Sequence, residues 1–564
     1  LALDRVGIAR HQHVWSHGHV VEDTDGSGHS YDGRMRRLVL VLACAVTLAA
    51  CGDGINEGVN EGRDTRGTID DVTLHTADTV QPPTTDPTAT DPSGSDTTGS
   101  DTTEVTPNDD DPFHWEQVDV GLEEGYLEVP LDYDDPTGAT VSLYVVRHLA
   151  VDPAARIGTL LVNPGGPGYG GSVLAFSAEG IYGQDLLDQF DIVGRDPRGT
   201  GLSEPAIDCI DDYDRFFGLD SSPDTPQERQ ALIDAGTEFG ESCQRNNAEL
   251  LAFIGTESSA RDMDSIRRAL GEEKISYFGF SYGSELGATW ATLFPDTVRA
   301  AVLDGAADPT AGYIESGLQQ SVGFESSLAT FLQQCSDDPS CEFHNDGNAE
   351  QAFDQLMTAL DEQPVPSSEG RPDVNLQVAI SGVFQAMYSD QLWQQLAQAL
   401  KDAQGGNGAG LLQLYDDYYA RNEDGTYDNS LEAFQTIFCM DTTERLTVAE
   451  EDAAVPQFQA AAPRLSPGTT GSYFCTFYPE TQDPRVDITG AGAGPILVMG
   501  TTGDPSTPLD STRRMADSLE DGRLVIVTAN QHTGYGVNVC SSDIIEQYLV
   551  DPVANAPTDG AECP

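Results

Sequence analysis

The chain contains 564 residues, of which 93 are Asp or Glu and 28 are Lys or Arg, so its formal net charge at pH 7 is -65. A chain this acidic repels a phosphate backbone, which excludes nucleic acid as an expected partner. The length is sufficient for one large hydrophobic core with an inserted region, and acidity spread along the chain is typical of a solvated surface.

The first hundred residues predict export. Residues 35–50 combine a basic start with a short apolar run, and we interpret them as a lipoprotein signal peptide. The small residues before Cys51 predict that this cysteine is lipidated, and an ordinary secretory signal is the alternative. Residues 1–34 are interpreted as a non-native upstream extension, and residues 51–112, rich in Thr, Asp and Pro, as a disordered linker. We therefore expect an extracytoplasmic protein that meets the membrane only through a lipid anchor.

From residue 113 onward, short apolar runs alternate with helical segments. Eight runs predict strands, at 124–133, 140–149, 157–162, 189–193, 275–280, 298–303, 495–499 and 523–527. Strands that alternate with helices indicate a mostly parallel sheet in an α/β fold. Residues 311–465 are rich in Gln, Ala and Leu with few strand signals, so we expect a helical lid there. This insertion would divide the core into residues 113–310 and 466–564.

The fifth predicted strand runs into Gly279-Phe-Ser281-Tyr-Gly283, and a helical segment follows. A sharp turn from strand to helix forces its apex residue into strained backbone, and flanking glycines let neighbouring elements approach. The apex side chain is then exposed in front of a helix N-terminus, where developing negative charge is stabilised. The pattern predicts Ser281 as a nucleophile, and a plain glycine-rich turn is the alternative.

A serine hydroxyl needs a base that takes its proton and an acid that orients the base. Asp504 and His532 follow the last two predicted strands, so they are expected at one edge of a parallel sheet. The chain order Ser, Asp, His is the one that α/β-hydrolases require. We therefore predict a catalytic triad of Ser281, Asp504 and His532. Asp304 also ends a strand and is the alternative acid, which we interpret as a structural turn residue.

Two backbone N–H groups are needed to bind the oxyanion of an acyl transfer. One is expected from Tyr282, directly after the nucleophile, and the other from Gly165 or Gly166 in the glycine-rich turn after the third predicted strand. A phosphate-binding loop is disfavoured because no Gly-Lys-Ser/Thr follows these glycines. In the next loop, Asp196 and Arg198 are expected to pair and hold the loop together.

Two of the ten cysteines belong to the signal, which leaves eight. An even number in an exported chain predicts disulfides, whose connectivity the sequence does not fix. We expect pairing in chain order: Cys209–Cys243, Cys335–Cys341, Cys439–Cys475 and Cys540–Cys563. From residue 35 onward the sequence has no Cys-x-x-Cys or clustered His pattern, so neither a metal site nor a cofactor is expected.

Six motifs together resemble the secreted tripeptidyl aminopeptidases of actinobacteria, which are proline-iminopeptidase-like α/β-hydrolases of peptidase family S33. The motifs are Asn163-Pro-Gly-Gly-Pro-Gly168, Asp196-Pro-Arg-Gly-Thr-Gly-Leu-Ser203, Gly279-Phe-Ser-Tyr-Gly-Ser284, Leu303-Asp-Gly305, Gly503-Asp-Pro-Ser-Thr-Pro508 and His532-Thr-Gly534. The resemblance covers residues 113–564. The chain departs from the pattern at Asn163, where proline iminopeptidases have His, and at Thr533, where Gly is more usual. Neither change removes a catalytic group.

The resemblance implies an α/β-hydrolase fold, with a mostly parallel eight-stranded sheet and an inserted helical lid. It also implies a serine hydrolase that removes short peptides, such as tripeptides, from free N-termini. Such an enzyme needs a carboxylate for the substrate ammonium, and Glu315, Glu325 and Asp441 are among many candidates, none of which is selected. We expect a monomer that acts on peptides. A carboxylesterase with the same triad and a surface binding protein with a vestigial site are the alternatives.

Overall fold

A computed structural model describes residues 111–564 except 423, 471 and 482. The expected upstream extension, the signal peptide, the lipidated Cys51 and all but the last two residues of the linker lie outside the described residues. Across the part of the chain that is described, no helix combines the length and the apolar character needed to cross a bilayer.

Ten strands form one sheet. Their bounds are β1 Glu116–Asp119, β2 Leu122–Pro130, β3 Thr140–His148, β4 Gly158–Asn163, β5 Phe190–Arg195, β6 Ile275–Phe280, β7 Val298–Asp304, β8 Ile496–Thr501, β9 Gly522–Val527 and β10 Ala561–Cys563. They lie in the order β1-β2-β3-β5-β4-β6-β7-β8-β9-β10. The three pairs from β1 to β5 are antiparallel, and all pairs from β5 to β10 are parallel.

The prediction of eight strands is therefore corrected to ten. Both additional strands lie at the edges of the sheet, where β1 has four mostly exposed residues and β10 has three residues. Neither segment is long and apolar enough to give a strand pattern, and each becomes a strand because it pairs with β2 or β9. The eight inner strands match the predicted ones to within about three residues at each end.

The central strands are buried because the sheet is covered on both faces. Every residue of β4, β6 and β8 is buried. Successive side chains of a strand point to opposite faces. Accordingly Leu161 and Tyr277 belong to one hydrophobic cluster, whereas Leu160 and Phe278 belong to another. This is the burial expected of parallel strands between two layers of helices.

Sixteen α-helices lie in the described part of the chain. Their bounds are α1 Ser172–Phe176, α2 Ala178–Ile181, α3 Gln184–Gln189, α4 Tyr213–Phe217, α5 Pro226–Asn246, α6 Thr256–Ala269, α7 Tyr282–Leu293, α8 Tyr313–Asp337, α9 Ala349–Glu362, α10 Leu376–Met387, α11 Trp393–Gln404, α12 Ala409–Tyr418, α13 Ser430–Asp441, α14 Val448–Ala461, α15 Leu509–Ser518 and α16 Val539–Val550.

The chain leaves the sheet after β7 and returns to it at β8. Helices α8 to α14 lie between these two strands, and we call residues 305–495 the helical insertion. Its centre is α10, which is buried along its whole length and packs against α11 and α12. Most of the buried hydrophobic side chains of the insertion belong to the same hydrophobic cluster as one face of the sheet. The insertion is therefore built onto the sheet and shares its core.

Four disulfides join the cysteines in chain order, which are the pairs expected from the sequence: Cys209–Cys243, Cys335–Cys341, Cys439–Cys475 and Cys540–Cys563. Bonds of this kind are typical of proteins that fold outside the cytoplasm. One of them connects α13 to the segment after α14, and another connects α16 to β10.

The expected pair between Asp196 and Arg198 is wrong. The Arg198 guanidinium donates to both carboxylate oxygens of Asp262, at 2.9 and 2.6 Å, and both side chains are fully buried. Asp196 instead accepts from the Ser172 hydroxyl at 2.6 Å and from the Leu202 N–H at 2.9 Å. The two residues are close in sequence, but Arg198 pairs with α6, whereas Asp196 bonds to α1 and to its own loop.

Candidate active site

Ser281 stands at the turn between β6 and α7. Its backbone has φ 55° and ψ -126°, a positive φ that non-glycine residues rarely adopt. Its N–H donates to the carbonyl of Asp304 at 2.8 Å. A Cβ on Gly279 would lie 2.4 Å from the carbonyl oxygen of Gly283, so the turn is too tight for a side chain there. The strained apex conformation that the motif predicts is therefore present at Ser281.

His532 follows β9 and Asp504 follows β8, so both lie at the edge of the sheet where Ser281 stands. The Nδ1 atom of His532 is 2.9 Å from each carboxylate oxygen of Asp504. The N–H groups of Ser506 and Thr507 donate to the same carboxylate at 3.0 and 2.8 Å and hold it in place. A carboxylate accepts hydrogen bonds, so this contact assigns the imidazole proton to Nδ1 and leaves Nε2 as the acceptor.

The two reacting atoms, Ser281 Oγ and His532 Nε2, do not form a hydrogen bond in this structure. Ser281 and His532 line the same cavity, but the buried Nε2 atom has no hydrogen-bond partner within the described ranges. A side-chain movement is therefore needed to join the hydroxyl to the imidazole. Hydrogen bonds between a nucleophile and its base are often long or misaligned before substrate binds.

Asp304, the alternative acid, contacts the backbone of the His532 loop. Its two carboxylate oxygens accept from the N–H groups of Gly534 and Tyr535, at 2.7 and 2.8 Å. Complete burial raises the pKa of Asp304 to about 6, although the two N–H donors act against that shift. Asp304 thus fixes the path of the chain after His532, as the interpretation of a structural turn residue requires.

The glycine-rich turn after β4 lies directly against the Ser281 turn. A Cβ on Gly165 would be 2.4 Å from the Phe280 carbonyl oxygen and 2.9 Å from Ser281 Cβ, and Gly165 has φ +97°. Only glycine allows this approach. The Gly165 N–H donates to the Asn163 side chain at 2.9 Å. Of the two expected donors, Gly166 is the one that lines the cavity.

The first N–H groups of a helix have no acceptor within the helix. Tyr282 is the first residue of α7, so its N–H is one of these groups. The Tyr282 nitrogen would be 3.1 Å from a Cβ on Gly165, which shows how closely the turn after β4 approaches it. The geometry therefore brings both expected oxyanion donors, Tyr282 and Gly166, to the neighbourhood of Ser281.

Apolar and aromatic side chains predominate around the cavity, and none of the described lining residues is a carboxylate. The lining residues are Pro164, Gly166, Tyr169, Val173, Phe280, Ser281, Gln320, Gln385, Tyr388, Ser389, Tyr418, Leu431, Phe434, Ser506, His532 and Thr533. Several of them belong to helices α8, α10, α12 and α13 of the helical insertion. Sequence reasoning missed these residues. A helical pattern predicts which side of a helix is buried, but it does not show which other part of the protein that side contacts.

The three carboxylates considered for the substrate ammonium lie elsewhere. Glu315 is exposed and pairs with Arg514 at 3.0 Å. Glu325 accepts from two backbone N–H groups of the segment after α14. Asp441 is buried and accepts from Thr256. The structure therefore assigns each of these candidates a contact within the fold, and none of them lines the cavity around Ser281.

Comparison with known proteins places this arrangement in a family. Residues 158–539 match the family model described as the α/β-hydrolase fold. The chain belongs to the α/β-hydrolase fold family. The mostly parallel sheet and the turn from strand to serine to helix agree with that membership, and the expectation of this fold is confirmed.

Curated relatives cover most of the chain. Serine protease Hip1 of Mycobacterium tuberculosis is 33% identical over 461 residues, which are 78% of this chain and 86% of the relative. Carboxylesterase B of the same species is 36% identical over 441 residues, 75% of this chain and 83% of the relative. Tripeptidyl aminopeptidase of Streptomyces lividans is 28% identical over 442 residues, 76% and 81% of the two chains. The resemblance to actinobacterial tripeptidyl aminopeptidases is confirmed.

Proposed function

We propose that the protein is a serine peptidase that releases short peptides, such as tripeptides, from free N-termini through an acyl-enzyme. The observation that carries the proposal is the contact of His532 Nδ1 with Asp504, which leaves Nε2 as the acceptor on a residue that lines the same cavity as Ser281. Similarity to a serine protease and to a tripeptidyl aminopeptidase supports peptides as substrates.

In the proposed first step, Ser281 Oγ attacks the scissile carbonyl carbon and His532 Nε2 takes the hydroxyl proton. Asp504 stabilises the imidazolium that forms and keeps the ring in its orientation. The carbonyl oxygen becomes an oxyanion, which accepts hydrogen bonds from the N–H groups of Tyr282 and Gly166. Collapse of this intermediate breaks the C–N bond, and the leaving amine takes the proton from Nε2.

In the second step, water attacks the ester carbonyl of the acyl-enzyme while Nε2 takes a proton from that water. The same two N–H groups bind the second oxyanion. The ester C–O bond breaks, Ser281 recovers its proton from His532 and the released peptide leaves as a carboxylate. Each group therefore returns to its starting state after one turnover.

The test compares Ser281→Ala with Ser340→Ala, a matched change at an exposed serine outside the cavity. Turnover of tripeptide arylamides and labelling by a fluorophosphonate probe should both vanish in Ser281→Ala and persist in the control. Labelling of Ser281→Ala at the wild-type rate would contradict the assignment of the nucleophile. Efficient cleavage of N-acetylated tripeptide arylamides would contradict the requirement for a free N-terminus.

A carboxylesterase is the second candidate, and the composition of the cavity favours it. None of the described lining residues is a carboxylate, so these residues cannot form an ion pair with the ammonium group of a peptide substrate. Carboxylesterase B of M. tuberculosis is a relative of comparable similarity. Ratios of kcat/KM for short acyl esters and tripeptide arylamides, measured on one preparation, decide between the two. Turnover of short acyl esters with no detectable cleavage of any tripeptide arylamide would replace the peptidase by the esterase.

We infer that the enzyme works outside the cytoplasm. The four disulfides support that location, and the small residues before Cys51 support attachment through a lipid on that cysteine. In an actinobacterial expression host, Cys51→Ala should move the protein from the membrane fraction to the soluble fraction. Membrane attachment that survives this change would contradict the lipid anchor.

A further inference from the structure

Helix α13 belongs to the helical insertion, yet it is bonded to the core at its beginning. Asn429, the residue before this helix, donates from its side-chain amide to the carbonyls of Gly199 and Ile207, at 2.9 Å each. Its side-chain oxygen accepts from the N–H of Gly201, also at 2.9 Å. One side chain thus makes three hydrogen bonds to the loop after β5, which fixes the start of α13 on the core.

The first turns of α13 pack closely against the glycine-rich turn after β4. A Cβ on Gly168 would lie 2.3 Å from the carbonyl oxygen of Ser430 and 2.5 Å from the nitrogen of Phe434. Gly168 is two residues beyond Gly166, the proposed oxyanion donor. Phe434 and Leu431 also line the cavity around the nucleophile. The backbone of α13 therefore determines how far this turn can move from the Ser281 turn.

The last residue of α13, Asp441, reaches the other proposed oxyanion donor. Its carboxylate accepts from the N–H of Thr256 at 2.7 Å and from the Thr256 hydroxyl at 2.6 Å. The Thr256 oxygen is also hydrogen-bonded to the phenol of Tyr282. All three side chains are buried. A continuous chain of hydrogen bonds thus connects the end of α13 to the residue directly after Ser281.

A second connection runs from the same end of α13 to α7. The backbone N–H of Arg485 donates to the carbonyl of Asp441 at 3.1 Å. The Arg485 guanidinium pairs with the buried Glu285 of α7 at 2.7 Å. The disulfide Cys439–Cys475 joins α13 to the segment that leads to Arg485. The C-terminal end of α13 is therefore connected to α7 by two routes, one through Thr256 and the other through Arg485.

We propose that α13 is a clamp on the oxyanion hole, which fixes the turn that carries Gly166 and the residue Tyr282 relative to each other. Asp441 is then a positioning residue that acts through Thr256 and Tyr282 without touching substrate. The inference rests on the proposed function, since it assumes that these two N–H groups bind the oxyanion. Oxyanion stabilisation depends on donors held in place before the charge develops, so loosening the clamp lowers kcat and leaves KM nearly unchanged.

Two substitutions test the clamp, Asp441→Asn and Tyr282→Phe. The Asn amide offers one acceptor where Thr256 needs two, and Phe removes the phenol but keeps the Tyr282 N–H. Each should lower kcat about tenfold with KM within about twofold, the effect expected of a displaced donor. The double variant should lower kcat no further, because both changes break one chain of contacts. Burial raises the pKa of Asp441, so the assays are made at alkaline pH, which favours its carboxylate form.

The matched control is Glu451→Gln. Glu451 is another buried carboxylate of the helical insertion and accepts from the Thr476 hydroxyl at 2.6 Å. This variant should lower the thermal stability of the protein and leave kcat within about twofold of the wild type, as expected of a hydrogen bond that serves only the fold.

Three outcomes would overturn the clamp: an unchanged kcat in both test variants, a loss confined to KM, or additive losses in the double variant. A variant that does not fold is replaced by the pair Thr256→Val and Thr256→Ser, of which only Ser should restore kcat. Failure of the clamp is distinguishable from failure of the proposed function. In the first case the variants keep wild-type turnover that still depends on Ser281, whereas in the second case Ser281→Ala itself remains active.

Discussion

Two buried aspartates stand at the ends of neighbouring strands, and both face the loop that carries His532. Asp504 follows β8 and binds the imidazole Nδ1 at 2.9 Å. Asp304 ends β7 and binds the backbone N–H groups of Gly534 and Tyr535 at 2.7 and 2.8 Å. The same side-chain chemistry in nearly the same place therefore has two different partners.

The difference shows that the conformation of the loop after β9 decides which of the two carboxylates can orient the His532 imidazole. A carboxylate that meets the ring holds its tautomer and stabilises its charged form. Asp504 also accepts from the N–H of Thr533 at 3.3 Å, but a carboxylate that meets only peptide N–H groups fixes the path of the chain without contacting the ring. Complete burial disfavours the ionised form of Asp304 and raises its pKa to about 6. Asp504, in contrast, lies within hydrogen-bonding distance of His532 Nδ1.

The largest effect is expected for Asp504→Asn. An Asn amide reverses the hydrogen-bonding preference toward Nδ1 and favours the wrong tautomer, so kcat should fall about 10⁴-fold. Steady-state kinetics on the preferred arylamide or ester measure the loss, and thermal unfolding confirms that the variant is folded. Asp510→Asn, at an exposed aspartate of α15, is the control and should keep full activity. A loss of less than about tenfold would assign the orienting role to another group.

The residues of this comparison could be predicted from the sequence because their positions follow from local patterns. Apolar runs marked β7, β8 and β9, and parallel strands place their carboxyl ends at one edge of a sheet. The chain order Ser, Asp, His fits both aspartates, and the spacing of Asp504 and His532 by one helix and one strand favoured Asp504. The glycines around Ser281 likewise carry their own signal, since a turn this tight requires them.

Other parts of the site could not be predicted, because the contacts that form them join distant residues. Asp441 and Thr256 are separated by 185 positions, and no pattern near either residue indicates the other. The error at Arg198 has the same origin, since its partner Asp262 lies on α6 and not in its own loop. The edge strands β1 and β10 were missed because segments this short show no alternation of apolar and polar residues that would predict a strand.

A smaller effect is expected for Asp304→Asn. The Asn side chain keeps one acceptor and turns its amide toward the second N–H group, which should cost about 1–3 kcal/mol of stability. Because Gly534 is two residues from His532, the imidazole should shift and kcat should fall about tenfold. Chemical unfolding and steady-state kinetics measure the two quantities. An effect on kcat equal to that of Asp504→Asn would remove the distinction between the two aspartates.

The same substitution should change how stability depends on pH. The pKa of Asp304 is raised by burial from its ordinary 3.8 to about 6, so the folded state holds this proton more tightly than the unfolded state. Its contribution to stability is full below pH 3.8 and is lost as pH rises through about 6. The free energy of unfolding of the wild type relative to Asp304→Asn should therefore fall between about pH 4 and pH 6 and level off above. A constant difference across that window would contradict the titration.

The smallest effect on activity is expected from the disulfide that closes the His532 loop from outside. Cys563 of β10 lies beside Val527 of β9, its carbonyl accepts from the N–H of Thr528, and Cys540 belongs to α16 beyond the loop. The bond thus joins the two ends of the segment that presents His532. Asp304 and Asp504 hold that segment from within, so kcat should stay within about threefold of the wild type when the bond is removed.

The double variant Cys540→Ser/Cys563→Ser tests this expectation. The bond closes a chain segment with a sequence separation of 23, so its loss should cost about 3.4 kcal/mol at 25 °C if chain entropy dominates. The control is Cys335→Ser/Cys341→Ser, whose separation of 6 corresponds to about 2.2 kcal/mol. Unfolding free energies and kcat are measured for both. A fall in kcat larger than that of Asp304→Asn would mean that the outer bond, and not the two aspartates, holds the imidazole in place.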